Sequence, residues 1–283
     1  MNKILKIILP LCVLLLLISC APEAEPPSDF TVVATFYPVY LASANITHDI
    51  DGVSLKLLTP HGAGCLHDHQ LTPGELESIE GADLVLALGS MEDFLPRISR
   101  VYPEIKLVKV GDESNEHCWV FVNDYIKMVN YIGSAIIKAD PDRADDYERN
   151  LRVYLEDLSQ LAKDMNLALI DLSDSPVIMF HDGFDSWRLA YGLNIIATVE
   201  CEPGVEPTPR EFADTLDLAK ARGVKVLFVD SHYLGAAAHT VARETGAKVY
   251  ELNPVASGTE SLDYYQRAMR SNVETVLAAL GEG

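Results

Sequence analysis

Between residues 142 and 172 apolar side chains fall at Tyr147, Leu151, Tyr154, Leu158, Leu161, Met165 and Ala168, in steps of four, three, four, three, four and three. Such spacing keeps one face of an α-helix apolar along its whole length, and Asp140-Pro141 supplies a start signal just before it. At 1.5 Å per residue, about 28 residues would span roughly 40 Å, the height of two lobes. Four short runs rich in β-branched or aliphatic residues precede this segment: Phe30–Thr35, Val53–Leu58, Leu84–Leu88 and Ile105–Val110. Four more follow it: Val177–Phe180, Leu193–Val199, Val224–Val229 and Lys248–Leu252. Helical patterns separate most of these runs, which argues for βα units and parallel pairing. The expected fold is therefore α/β, with two lobes, each a mostly parallel four-stranded sheet with helices, joined by a long rigid connecting helix. The N-terminal lobe is placed at 30–141, the connector at 142–172 and the C-terminal lobe at 173–283.

An internal echo supports two related lobes. Thr72-Pro73-Gly74-Glu75 precedes one helix and strand, and Thr208-Pro209-Arg210-Glu211 precedes another pair. Each has threonine as N-cap, proline at the first helical position and glutamate three residues after the cap, the pattern of a capping box.

The N-terminus points to export. Lys3 and Lys6 precede an apolar stretch from Ile7 to Ile18, interrupted by Pro10. A membrane span needs about 20 apolar residues, so this one is short and fits the apolar region of a secretory signal at 1–19. Leu17-Ile18-Ser19-Cys20 resembles a bacterial lipobox, in which the cysteine is acylated, carries palmitate and becomes the first residue after cleavage. Residues 20–29, with Pro22, Pro26 and Pro27, read as a tether that leaves the lobes on the extracytoplasmic face of a membrane.

Loss of the two leader lysines takes the net charge from −20 to −22. A surface so acidic repels nucleic acid and anionic head groups and favours cations. Cys65, Cys118 and Cys201 remain after maturation, an odd number in an oxidising compartment. One disulfide with one free thiol, thiolate ligation of a metal, and three buried inert thiols are all open.

The chemistry gathers on histidines. His67 lies in the loop after Val53–Leu58, His117 follows the run ending at Val110, and His181 ends the run Val177–Phe180. In open α/β proteins ligands bind beyond the carboxyl ends of the strands, and three imidazoles with one open position describe a zinc site. A carboxylate such as Asp182 can orient a ligating ring. His61 and His69 read as solvent-facing and His239 as structural, while Asp230 and His232 end a strand on the crevice side.

These segments, in this order, resemble the metal-binding subunit of zinc/manganese ABC importers, the cluster 9 or A-I group of substrate-binding lipoproteins. The resemblance rests on His67 before Leu71-Thr72-Pro73, His117-Cys118-Trp119, His181-Asp182-Gly183-Phe184 before Tyr191-Gly192, and Glu206-Pro207-Thr208-Pro209. It implies a monomeric, lipid-anchored receptor that holds Zn2+, with Mn2+ second, between its lobes and hands it to an ABC permease. It also implies a fourth ligand, an aspartate after the last strand. Here that place is Asn253, in Leu252-Asn253-Pro254, so the fourth position falls to Asn253, to Cys65 or to water. Nitrogen donors favour zinc and carboxylates favour manganese. A zinc metalloenzyme would share the three histidines, yet the chain lacks a His-Glu-x-x-His helix and a Gly-x-Ser-x-Gly elbow. A surface adhesin would need an exposed apolar or aromatic patch.

Overall fold

The computed structural model describes residues 29–60, 66, 69–199, 207–232 and 235–281. Cys20, His61, Cys65, His67, Cys201 and Glu206 lie outside the described residues.

Among the described residues, eight strands form two sheets of identical plan. In the first, β1 (Phe30–Ala34), β2 (Val53–Leu57), β3 (Leu84–Ala87) and β4 (Leu107–Lys109) are ordered β2-β1-β3-β4. In the second, β5 (Val177–Met179), β6 (Ile195–Thr198), β7 (Val226–Asp230) and β8 (Lys248–Leu252) are ordered β6-β5-β7-β8. Every pairing is parallel. Parallel strands need crossovers, and helices supply them: α1 (Tyr37–Thr47), α2 (Pro73–Glu80) and α3 (Leu95–Val101) in the first half, α6 (Asp185–Tyr191), α7 (Pro209–Arg222) and α8 (Ala236–Thr245) in the second. Between the halves run α4 (Val122–Ala139) and the connector α5 (Ala144–Leu169), and α9 (Tyr264–Gly281) closes the chain.

All eight expected strands are present, with trimmed ends. Val224, expected in β7, gives its N–H to Ala219 O at 3.0 Å. It closes the C-terminus of α7 instead of joining the ladder. Both capping boxes are made: Thr72 N–H donates to Glu75 Oε2 at 2.6 Å, and Thr208 N–H to Glu211 Oε2 at 2.8 Å. In each, the threonine hydroxyl accepts the glutamate N–H at 3.3 Å.

The central strands β1, β3, β5 and β7 are buried along their length because both faces are covered, as parallel sheets require. Alternate residues part to different cores. Val32, Ala34, Leu84 and Leu86 of the first sheet share one core with Val177, Met179, Val226 and Phe228 of the second. Val33, Val85 and Ala87 face a separate cluster with α2 and α3 residues, and Ile178, Leu227 and Val229 face another with α7 and α8 residues. The connector fills the shared core with Tyr147, Tyr154, Leu158, Leu161 and Met165. Its 26 residues make a rod of about 39 Å at 1.5 Å per residue. Ala168, expected on the stripe, is exposed, and Leu169 is buried in its place. At 3.6 residues per turn, a step of four from Met165 regains the core face where a step of three falls short. No described helix is long and apolar enough to cross a membrane.

With the order 2-1-3-4 repeated, each sheet has a switch point where connections leave in opposite directions, the usual place for a ligand crevice. In the first sheet it lies between the ends of β1 and β3. There the buried Glu92 accepts the Thr35 hydroxyl at 2.6 Å and the Leu88 N–H at 2.8 Å. In the second it lies between the ends of β5 and β7, at His181 and Asp230.

Candidate metal centre

His181 stands where β5 ends. Phe180 still bonds to the ladder, N–H to Phe228 O at 2.9 Å, and the chain then turns into the 3-10 segment Asp182–Phe184. His181 Nδ1 accepts the Gly183 N–H at 3.1 Å. A side chain at residue 183 would put a Cβ 2.8 Å from that nitrogen, so glycine lets the turn fold against the imidazole.

His117 comes from the other half of the chain, at the start of the 3-10 turn Cys118–Val120, where its N–H donates to Asn115 Oδ1 at 3.2 Å. Its ring lies edge-on to that of His181, with centroids 4.9 Å apart and an interplanar angle of 83°. Burial pushes its pKa below the ordinary histidine value, although Asp182 opposes the shift. The neutral ring, with a free lone pair, is thus favoured at neutral pH. Nε2 of His117 is buried with no hydrogen-bond partner among the described residues. Buried polar atoms are nearly always satisfied, so this nitrogen fits a site at which a bound cation would be its partner.

Asp182 lies between the rings, Oδ1 3.5 Å from His117 Nδ1 and 3.7 Å from His181 Nε2. One ligand atom from each of the three residues falls within 4.8 Å of the others, a spacing compatible with a single ion. Asp182 is partly exposed and lines a cleft of about 740 Å³ together with Asn115, Asp124 and Asp185. Two imidazoles, a carboxylate and an acidic mouth form a donor set suited to a divalent cation.

The other expected residues divide. Asp230, 8 % exposed, holds His232: Oδ1 accepts the His232 N–H at 2.7 Å and lies 3.0 Å from its Nδ1. Its Oδ2 lies 3.8 Å from His181 Nδ1. The Asn253 amide is engaged locally, with Oδ1 accepting the Val255 N–H at 2.8 Å and Nδ2 donating to the Tyr264 hydroxyl at 3.1 Å. His69, expected to face solvent, is mostly buried against the Phe94 ring with Nε2 3.0 Å from Glu75 Oε1, so it pins the loop to the cap of α2. His239 is exposed on α8. Cys118 is a free, buried thiol whose pKa burial raises, which makes it inert.

Residues 32–279 match the family model described as zinc-uptake complex component A, periplasmic, ZnuA. The chain belongs to the ZnuA family. A curated relative, the zinc-binding lipoprotein AdcA of Streptococcus pneumoniae R6, is 26% identical over 92% of this chain and 56% of its own length. The chain thus spans about half the length of the AdcA relatives it matches. The high-affinity zinc uptake system protein ZnuA of Bacillus subtilis is 28% identical over 78% of this chain and 77% of that protein. Among solved structures, FpvC of Pseudomonas aeruginosa in complex with Mn2+ superposes with a TM-score of 0.79 at 27% identity, covering 90% of this chain and 99% of that one. In this ZnuA-family chain, sequence reasoning passed over Ser257, whose hydroxyl lies 2.6 Å from His232 Nε2. No local pattern marks that serine, because its partner is 25 residues away in sequence.

Proposed function

We propose that the protein is an extracytoplasmic receptor, anchored by lipid at Cys20, that captures zinc between its lobes and delivers it to the permease of an ABC importer. The lobes are residues 30–141 and 173–283, with 142–172 as connector. His67, His117 and His181 hold the ion, and Asp182 lies within reach as an oxygen donor. The observation that carries this reading is the meeting of His117 and His181, from opposite halves of the chain, around one carboxylate and one unpartnered buried nitrogen. Relatives named for zinc binding and zinc uptake support the choice of cargo and a binding role in place of catalysis.

Mechanistically, His117 and His181 supply neutral nitrogen donors, and Asp182 supplies negative charge at the solvent side. Because the donors come from both halves, binding ties the lobes together, while the connector inside the shared core resists wide opening. The permease then gains leverage by separating the two histidines.

The test is a chelator-competition titration with zinc. His67→Ala, His117→Ala and His181→Ala should each weaken binding at least tenfold, whereas His61→Ala and His239→Ala should change it little. Equal behaviour of all five would refute the assignment. Manganese is the second reading, favoured by the carboxylate among the donors; a preference for Mn2+ in the same titration would establish it. Retention in the membrane fraction after Cys20→Ala would refute the anchor.

A further inference from the structure

His181 meets the crevice with the wrong ring nitrogen occupied. Its Nδ1 accepts the Gly183 N–H at 3.1 Å, so in the neutral ring the proton resides on Nε2, the nitrogen facing Asp182 and His117. A nitrogen that carries a proton cannot ligate. For Nε2 to bind a cation, the ring must hold its proton on Nδ1 and donate it in a hydrogen bond to an acceptor. The carboxylate facing Nδ1 is Asp230, Oδ2 at 3.8 Å, a small ring rotation from a hydrogen bond.

Asp230 is built for that task. A carboxylate only accepts, so His232 must donate from Nδ1, at 3.0 Å, as well as from its backbone N–H, at 2.7 Å. Both donors converge on Oδ1, and Oδ2 is the oxygen that approaches His181. With Nδ1 of His232 donating, Nε2 accepts from the Ser257 hydroxyl at 2.6 Å. Ser257 thereby locks the His232 tautomer, and His232 locks Asp230.

We propose that Asp230, held by His232 and Ser257, is the positioning residue of His181: with cargo bound it accepts a hydrogen bond from Nδ1–H, and Nε2 turns to the metal. The proton lost from Nε2 passes to solvent and an equivalent one is taken up at Nδ1, so the ring stays neutral throughout. The inference rests on the proposed role of His181 as a ligand. Carboxylate partners of ligating histidines fix tautomer and orientation in this way, and their loss typically costs ten- to a hundredfold in affinity.

The decisive variant is Asp230→Asn. Asparagine keeps the volume, and its Oδ1 can still accept both His232 donors, but its NH2 then faces His181 Nδ1. That donor holds the ring in the tautomer with the proton on Nε2, the fault expected when an aspartate behind a working histidine becomes asparagine. Zinc affinity of Asp230→Asn should fall about ten- to a hundredfold, at least as far as for Asp230→Ala. A packing role would give the opposite order, alanine being worse, and that order or an Asp230→Asn affinity within about twofold of the parent would overturn the proposal. Histidine 15N NMR of the zinc-loaded parent gives a second reading free of any folding defect. His181 should show a protonated Nδ1 and a metal-bound Nε2; a metal-bound Nδ1 refutes the proposal while leaving His181 a ligand. Zinc that binds without shifting either His181 nitrogen would refute both this inference and the ligand assignment.

Discussion

The indole N–H of Trp119 donates to the carbonyl oxygen of Pro254 at 2.6 Å, in a buried contact between residues 135 apart in sequence. Trp119 sits two residues after His117, and Pro254 follows the last strand, so the bond ties the loop that carries His117 to the opposite half. The Tyr265 hydroxyl donates to Trp119 O at 2.7 Å, and the Trp187 indole donates to Val120 O at 3.1 Å. The lobes are joined directly beneath the crevice by three aromatic donors on backbone carbonyls.

Trp119→Phe removes the first of these bonds and trims a buried ring that packs edge-on against Phe36. Leaving the Pro254 carbonyl unpaired should cost about 1–3 kcal/mol, read as a lowered urea midpoint of the metal-free protein. Zinc should also leave faster to a chelator in stopped flow. Unchanged release would show that this clamp does not govern closure.

Gly183→Ala should damage binding more than folding. Its Cβ would fall 2.8 Å from His181 Nδ1, and the ring must swing away from its present setting. Overpacking of this kind costs about 1–3 kcal/mol. Zinc affinity should drop by roughly tenfold, the lower end for disturbing the support of a ligand. Calorimetric titration beside a thermal melt separates the two effects.

Asp182→Asn removes the carboxylate between the rings and retains its size. Hard oxygen donors matter more to manganese than to zinc, so Mn2+ affinity should fall further than Zn2+ affinity. The ratio of the two constants is the quantity to follow. An unchanged ratio would place Asp182 outside the coordination sphere.

The buried His117 sets a pH dependence for the metal-free protein. Its folded pKa lies below the ordinary 6.5, with burial as the main cause, so below that value the unfolded chain binds a proton more readily than the folded one. Stability attributable to this group is therefore constant above about pH 7 and falls as the solution is acidified through 6.5 toward the lower folded pKa. His117→Gln should flatten that part of the profile in denaturant titrations between pH 7 and 5.

Sequence alone determined the architecture. The runs of the central strands β1, β3, β5 and β7 are the most apolar because each sheet is covered on both faces there. The two capping boxes are local, needing only four residues each, and the stripe on the connector repeats every turn. Local pattern also set His181 at the end of β5 and His117 in the loop that follows β4, which pointed both toward the crevice side. What it could not reach were the relations between distant segments. Asn253 was open as a donor, and only the fold shows its amide bonded to Val255 and Tyr264. His69 read as solvent-facing until Glu75 and Phe94 closed around it. Ser257, His232, Asp230 and His181 form one chain of contacts only after β5 and β7 pair and the loop after β8 folds over them. Periodicity reports which face of an element is buried; which polar atom on that face meets which other is decided by packing across the sheets, in ångströms that no linear spacing encodes.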